Sequence, residues 1–421
     1  MSREMRHSGI EWIGEIPKEW NSARFKYSGC FIKGKLPATQ NNDNKGIPII
    51  GASEMMGKEP RLYTEDSNIP MCSGEDILIL WDGANAGIIA NKCQGVVSST
   101  AVKYSCTDKR YNQQYIFYLL KNAEPFFKSK VGGTTIPHMN TRYIDEYLCI
   151  LPPLSEQQKI ANYLDKVCGE VDEMIALQEQ MIEELKAYKQ SVITEAVTKG
   201  LNPNVPMKDS GIDWIGEIPE HWGICRLKFL CKYIKDGTHF SPTTVSEGYP
   251  YITATDVRGV GIDYKSAKKI THETFLDLQK AGCQPHKGDV LLVKDGATTG
   301  RVGMMIDDEE CVLLSSVAML SPNNNISSPF LMYFIMSDFM QFQIQLAMAG
   351  TALPRITLSK LVNFLGVFCP LTEQQSIASY LDTKCAEIDA LIAIKQAKIE
   401  ELKEYKKSVI YEYVTGKKEV V

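Results

Sequence analysis

The chain has 421 residues, 44% hydrophobic and 23% charged, with 46 Lys/Arg against 51 Asp/Glu and a net charge of −5. That length accommodates two or more domains, each large enough to bury its own core, and the acidic balance argues against simple electrostatic capture of nucleic acid, which favours basic domains. No apolar run reaches membrane-spanning length, the start MSREMRHSG lacks a signal-peptide core, and twelve cysteines without a CxxC pair or zinc-like spacing point to free thiols in a reducing cytoplasm.

The first element, Met5 to Tyr27, contains WIGEIPKEW (Trp12–Trp20) and returns as Met207 to Phe229 with WIGEIPEHW (Trp214–Trp222), 13 of 23 positions being identical. Pro and Gly interrupt regular structure there, and the paired tryptophans read as anchors packed against a core. Next, Gly29–Lys35 (GCFIKGK) has phosphate-loop spacing, but Leu36 stands where a Ser or Thr hydroxyl is required, so it reads as a decoy. Gly46–Gly57 reads as a strand and a turn, and Asp76–Gly87 (DILILWDGANAG) as a buried strand entering an Asp-Gly hairpin turn. Gly95–Tyr104 reads as further strand, and Tyr111–Lys121 has helical spacing of aromatics and aliphatics. The same elements recur at Gly248–Gly259, Asp289–Gly300, Cys311–Leu320 and Pro329–Phe342, with little identity.

Pro152-Pro153-Leu154 then stops the first unit, and Ser155-Glu156-Gln157-Gln158 reads as a capping box opening a long helix. The block Pro153–Thr198 returns as Pro370–Thr415 with 28 of 46 positions identical. Ile160, Val167, Met174, Met181 and Tyr188 recur every seven residues, with Leu164, Val171, Leu185 and Val192 in the second seam position. The second helix repeats this with Ile377, Leu391, Tyr405, Leu381, Ile388, Leu402 and Val409, while Cys168, Ile175, Ile182 and Cys385, Ile392, Ile399 widen each stripe. A heptad repeat of this length is the signature of coiled-coil pairing. Gly200–Asn204 ends the first helix and links to the second unit.

Charge follows this division. Residues 22–151 carry 15 basic against 12 acidic residues, 224–369 carry 14 against 13, and 152–200 carry 5 against 9, so the acidity sits mainly on the connectors. No GxSxG, HExxH, dinucleotide fingerprint or amino-methyltransferase motif is present, and all six histidines are isolated. Asp82 and Asp295 recur at equivalent places, but each sits in Asp-Gly, where a turn residue is the simpler reading than a catalytic acid.

Two divergent mixed domains alternating with two near-identical helices, each entered through PL[ST]EQQ, with WIGEIPxxW and TEAVTKGLNPN in this order, resemble the specificity (S) subunit of type I restriction–modification systems over essentially the whole chain. The resemblance implies an α+β architecture: recognition domains at 1–151 and 201–369, and helices at 152–200 and 370–421 pairing as an antiparallel coiled coil with pseudo-twofold symmetry. It implies that each domain reads one half of a bipartite double-stranded DNA target. The helices would set the spacer and dock two methyltransferase (M) subunits, with restriction (R) subunits as further partners. It implies no catalytic residue or metal in this chain: S-adenosylmethionine belongs to M, and ATP with Mg to R.

Base and phosphate contacts call for Lys, Arg, Asn and hydroxyl side chains on exposed loops. The candidates are Lys33, Lys35, Lys58, Arg61, Asn85, Lys92, Lys130, Thr134, Thr135, His138 and Arg142 in the first domain. In the second they are Lys235, His239, Arg258, Lys265, Lys268, Lys269, Lys294, Arg301, Thr351 and Arg355. Most weight falls on the loop Gly132–His138 and its counterpart Ala349–Arg355, where Gly and Pro frame a tip that changes from His138 to Arg355. Fewer than half of these cations are expected to touch DNA, the rest being solvated surface. The reading from another class is a coiled-coil scaffold with protein-binding domains, which the net acidity favours; salt-sensitive binding to duplex DNA separates the two.

Overall fold

The structure is a computed structural model, described here for residues 3–10, 13–132, 138–348 and 354–420. It divides into two compact units, residues 1–179 with 397–421, and residues 180–396, the division falling inside both long helices.

In the first unit a four-stranded antiparallel sheet runs in the order Gly29–Lys33, Ala101–Cys106, Ile77–Leu80, Ile89–Ala90. The run ILIL is buried at every position, as expected of a central strand covered on both faces. A second sheet pairs Ile47–Ile50 in parallel with Gly95–Val97. Leu148–Leu151 returns antiparallel to Asn21–Arg24, closing the domain just before the first long helix. The helix Gln113–Asn122 is capped by Asn112, whose side chain accepts the Tyr115 amide at 2.8 Å. The phosphate-loop decoy is the edge strand Gly29–Lys33 and opens no helix.

The second unit repeats this strand order with Cys231–Asp236, Val317–Pro322, Val290–Val293 and Val302–Met304. Gly223–Arg226 pairs with Leu365–Phe368, and Tyr249–Ile252 lies parallel to Val312–Leu313. The helix expected over Pro329–Phe342 is two helices, Ser328–Met336 and Asp338–Met348. Extended backbone at Ser337 breaks it, and the Ser337 hydroxyl turns back to the Phe334 carbonyl at 2.6 Å.

The repeated motifs are partners of one another. The buried Trp20 donates its indole N–H to Glu156 Oε2 at 2.9 Å, and the buried Trp222 donates to Glu373 Oε2 at 3.0 Å. The next residue, Gln157 or Gln374, is fully buried. Gln157 bonds the Asn112 amide and the Arg110 and Pro152 carbonyls; Gln374 bonds the Ser327 amide and the Asn325 and Cys369 carbonyls. The helices begin at Leu154 and Leu371, so Ser155 and Thr372 lie inside the first turn. The Glu and Gln expected in a capping box therefore clamp each helix to its domain instead. Of the tryptophan anchors, Trp214 is 48% exposed beside Phe342, and Trp12 lies outside the described residues.

The long helices, Leu154–Lys199 and Leu371–Val414, bury much of the expected stripe but not all of it. Ile160, Leu164, Val171, Ile377, Leu381, Ile388, Leu402 and Val409 are buried, and Val167 and Leu185 are half-buried. Met174, Met181, Tyr188, Leu391 and Tyr405 are exposed, and Cys168, Ile182, Cys385 and Ile399 are buried in their place. The cause is the mismatch between 3.6 residues per turn and a seven-residue repeat, about 20° per heptad. On the first helix the Ile160 column rotates outward and the Cys168 column takes over, whereas the Leu381 column of the second helix stays buried as far as Val409. Within the first unit Tyr163 packs against Tyr413 in a tilted ring contact, with centroids 4.5 Å apart, and Asp172 meets Lys406 at 2.6 Å. Within the second, Lys189 meets Asp389 at 2.7 Å.

Candidate nucleic-acid interface

The strand-to-turn segments LWDG and VKDG put equivalent residues at the same end of each four-stranded sheet. Gly83 and Gly296 have φ of 97° and 95°, the left-handed backbone that lets the chain reverse there. In each unit the turn aspartate forms an isolated backbone bridge to the last residue of the loop singled out in the sequence, Asp82 to His138 and Asp295 to Arg355. Hydrogen bonds flank both bridges, Met139 N to Trp81 O at 3.0 Å and Ile356 N to Lys294 O at 2.8 Å. The backbone scaffold is thus common to the two units.

The side chains on it are not. In the first unit the Asp82 carboxylate pairs with His138 Nδ1, and Lys33 Nζ lies 3.9 Å from its other oxygen. The Trp81 indole donates to His138 Nε2 at 3.3 Å. Strand register places Asp236 where Lys33 stands and Lys294 where Trp81 stands. Lys294 is 1% exposed and sits between Asp236 at 3.3 Å and Asp295 at 3.1 Å. Arg355 Nε lies 3.3 Å from Asp295 Oδ1, and His239 lies 3.4 Å from Asp236. The turn aspartate is common to both units, but the amine has moved from the edge strand to the central one and an aspartate stands on the edge in its place.

Of the expected site residues, this end of the sheets gathers Lys33, Asn85 and His138 in the first unit. In the second it gathers His239, Lys294 and Arg355, together with Lys235 on the neighbouring edge strand. Arg301, on the same hairpin, donates to the Val257 carbonyl, while Arg258 is tied to Asp263 at 3.1 Å. Lys130 lies over Phe126 and Tyr143. Lys35 follows the edge strand, and Lys58 and Arg61 occupy the exposed link before Tyr63–Thr64. Arg142 is exposed on the short helix Thr141–Glu146. Lys265 is exposed on a loop, and Lys268 and Lys269 lie on a strand paired with Tyr249–Ile252. Lys92 is not brought in: its amide bonds Gly74 O, at the opposite end of the strand Ile77–Leu80. Thr134, Thr135 and Thr351 lie outside the described residues.

Sequence reasoning missed the roles of Asp82, Asp236, Asp295 and Trp81. The recurrence of Asp-Gly at both sites was the available signal for two of the aspartates. It also missed two exposed aromatics at equivalent positions, Tyr27 and Phe229, each under the lysine that precedes it.

Chemically the arrangement suits charge-assisted recognition. Burial pushes the Cys72 and Cys168 thiols up to about 11 and Cys311 to about 12, so these are packed hydrophobes and not nucleophiles. Among the described residues no three His, Cys, Asp or Glu side chains could hold a metal, and no helix is long and apolar enough to cross a membrane.

The family profile described as "Type I restriction modification DNA specificity domain" matches residues 17–187 and again 219–404. The chain is 30% identical over 416 residues to the type I restriction enzyme MjaVIII specificity subunit of Methanocaldococcus jannaschii, covering 96% of this chain and 93% of that one. It is 25% identical over 362 residues to the EcoBI specificity subunit of Escherichia coli, covering 83% and 76%. A solved chain from a study titled "Structural basis underlying complex assembly and conformational transition of the type I R-M system" shares the fold, with a TM-score of 0.68 at 17% identity, covering 95% of this chain and 99% of that one.

Proposed function

Because the chain belongs to the family of type I restriction–modification DNA specificity subunits, we propose that residues 22–151 and 224–369 each read one half of a bipartite DNA target. The observation that carries this reading is a common backbone scaffold at the sheet ends bearing different side chains. A shared frame with different hydrogen-bonding groups is what two readers of two sequences require. Docking onto phosphates would come from the exposed cations around the same ends.

The long helices act as the spacer. Residue numbers rise on one as they fall on the other, from Tyr163/Tyr413 to Asp172/Lys406, which supports antiparallel pairing as a coiled coil. Lys189/Asp389 is the repeat-equivalent contact, which supports a pseudo-twofold design. Each helix also leaves apolar side chains uncovered at equivalent positions: Met174 and Leu391, Leu177 and Ile394, Tyr188 and Tyr405, all between 46% and 63% exposed. Two equivalent faces suit two copies of one partner, the M subunit. In this scheme S-adenosylmethionine is bound by M and ATP with Mg by R, and this chain supplies specificity and no catalytic group, working in the cytoplasm.

The test is co-expression with the neighbouring methyltransferase subunit and single-molecule mapping of modified adenines. One split motif with two defined halves is the expected result. Exchanging residues 22–151 for another recognition domain should change one half alone, and a change in both would refute the modular reading. No new modification from an assembled complex would favour a scaffold with protein-binding domains.

A further inference from the structure

We propose that Arg355 reads a guanine in the half-site bound by residues 224–369, and that Asp295 is the residue that positions it; this rests on the DNA-reading function above.

The two recognition loops close on the same scaffold, yet their closing residues differ in what they have left to offer. His138 is engaged at both ring nitrogens, Nδ1 with Asp82 and Nε2 with the Trp81 indole. Neither ring nitrogen is left for a base. Among the described residues the Arg355 side chain has one charge partner, Asp295, whose Oδ1 lies 3.3 Å from Nε. Among the described residues no hydrogen bond occupies its two terminal nitrogens, and its side chain is 56% exposed.

The surrounding charges explain why Arg355 is aimed. Asp295 is gripped from behind, its Oδ2 lying 3.1 Å from the buried Lys294 ammonium, which Asp236 also holds at 3.3 Å. That fixes the carboxylate, with Oδ1 on the side of Arg355. Oδ1 is sealed from solvent and accepts no hydrogen bond of good geometry, so the guanidinium is its counter-charge. Burying an ammonium between two carboxylates is a weak source of stability, because desolvation offsets the Coulomb gain. Its value here is orientation. A planar guanidinium paired with a carboxylate on its Nε side leaves its two terminal nitrogens free to offer parallel N–H donors from the outer edge. The O6 and N7 acceptors of guanine in the major groove match that pair, and no other base offers two acceptors there. A carboxylate-buttressed arginine is thus a guanine reader, whereas the first unit, with His138 engaged, must read by other side chains.

The experiment maps the methylated motif from the full complex with its methyltransferase subunit, for the parent chain and for Arg355→Ala, Arg355→Lys and Asp295→Asn. In Arg355→Ala, one guanine of one half-site should become degenerate, its discrimination falling roughly ten- to a hundred-fold, with the other half-site unchanged. Arg355→Lys keeps the charge but cannot bridge two acceptors, so it should relax the same position even if the alanine variant fails to assemble. Asp295→Asn should weaken that position alone, whereas a merely structural role would blur the whole half-site. A motif unchanged in Arg355→Ala and Arg355→Lys, or a loss spread evenly over the half-site, overturns the assignment while leaving the specificity function standing. A parent complex that yields no split motif removes both.

Discussion

Replacing Gln374 by Ala tests whether the repeated Glu-Gln-Gln motif is a structural clamp. The Gln374 side chain is fully buried; it accepts the Ser327 amide at 2.8 Å and donates to the Cys369 carbonyl at 2.7 Å and the Asn325 carbonyl at 2.9 Å. Truncation leaves three backbone groups without partners. Each buried unsatisfied group costs about 1–3 kcal/mol. Asn325 is exposed and water can serve its carbonyl, so the low end of that range applies and the total is about 3 kcal/mol. Native-state hydrogen exchange on the full chain reads this locally. A loss of about 3 kcal/mol corresponds to roughly hundred-fold faster exchange of the Ser327 amide, if its protection comes from this clamp. The Asn112 amide, held by Gln157 at 2.8 Å, should keep its parent rate and serves as the internal control. Gln374→Leu separates packing from hydrogen bonding, since it restores the volume but not the polar partners. If the leucine variant exchanges like the parent, or if the alanine variant accelerates Ser327 less than tenfold, the clamp argument is wrong.

Two further predictions follow from the charges and thiols. Burial alone would raise the Asp76 carboxyl, but hydrogen bonds from Ser105 and from the Ser73 amide and hydroxyl, with Lys103 at 3.5 Å, hold it below the usual carboxylate range. A depressed folded value contributes stability that is present above the unfolded value near pH ~4 and lost as pH falls through the folded one. Asp76→Asn should therefore destabilise the protein at pH 7, and its deficit should shrink below pH 4 in denaturant titrations; a constant deficit would contradict the linkage. Among the thiols, Cys30 is exposed, whereas burial raises Cys72 and Cys168 to about 11. At pH 8 only about one in a thousand of the latter is thiolate, so iodoacetamide with peptide mass mapping should label Cys30 first. Early labelling of Cys168 would mean that the helix start opens readily.

The element types were legible in the sequence because each carries a local periodicity. Ile77–Leu80 is a buried run before Asp-Gly, and Leu154–Lys199 is a long apolar stripe after Pro-Pro. The exact stripe was not, because apolar residues fill two adjacent columns, and only packing decides that Ile182 is inside and Met181 outside. Lys92 looked like a reader because sequence shows a cation in a polar turn but not which end of the hairpin that turn occupies. The exchange of Lys33 for Asp236 and of Trp81 for Lys294 depends on register between strands far apart in the chain, which no local pattern encodes. Repeats of WIGEIPxxW and PL[ST]EQQ were visible at once. That the two motifs meet, Trp20 bonding Glu156 and Trp222 bonding Glu373, required the fold.

The same coupling extends to the ends of the long helices, where two glycines one repeat position apart, Gly200 and Gly416, carry unequal burdens. Gly200 and Gly416 both adopt the left-handed backbone, with φ of 78° and 72°, so alanine at either is strained by about 1 kcal/mol. Their surroundings differ. A Cβ on Gly200 would lie 3.2 Å from the Trp222 ring, a tight contact that a slight shift can relieve. A Cβ on Gly416 would lie 2.4 and 2.6 Å from the Pro17 ring and 3.0 Å from Trp20, and neither can yield, since proline is rigid and Trp20 is fully buried. Gly416→Ala should therefore cost about 3 kcal/mol, backbone strain plus overpacking, against about 1–2 kcal/mol for Gly200→Ala. Hydrogen exchange near Trp20 and near Trp222 would report the two losses separately. Equal effects would mean that the Pro17 contact relaxes freely, and that helix end and entry strand are less tightly joined in the first unit than their packing implies.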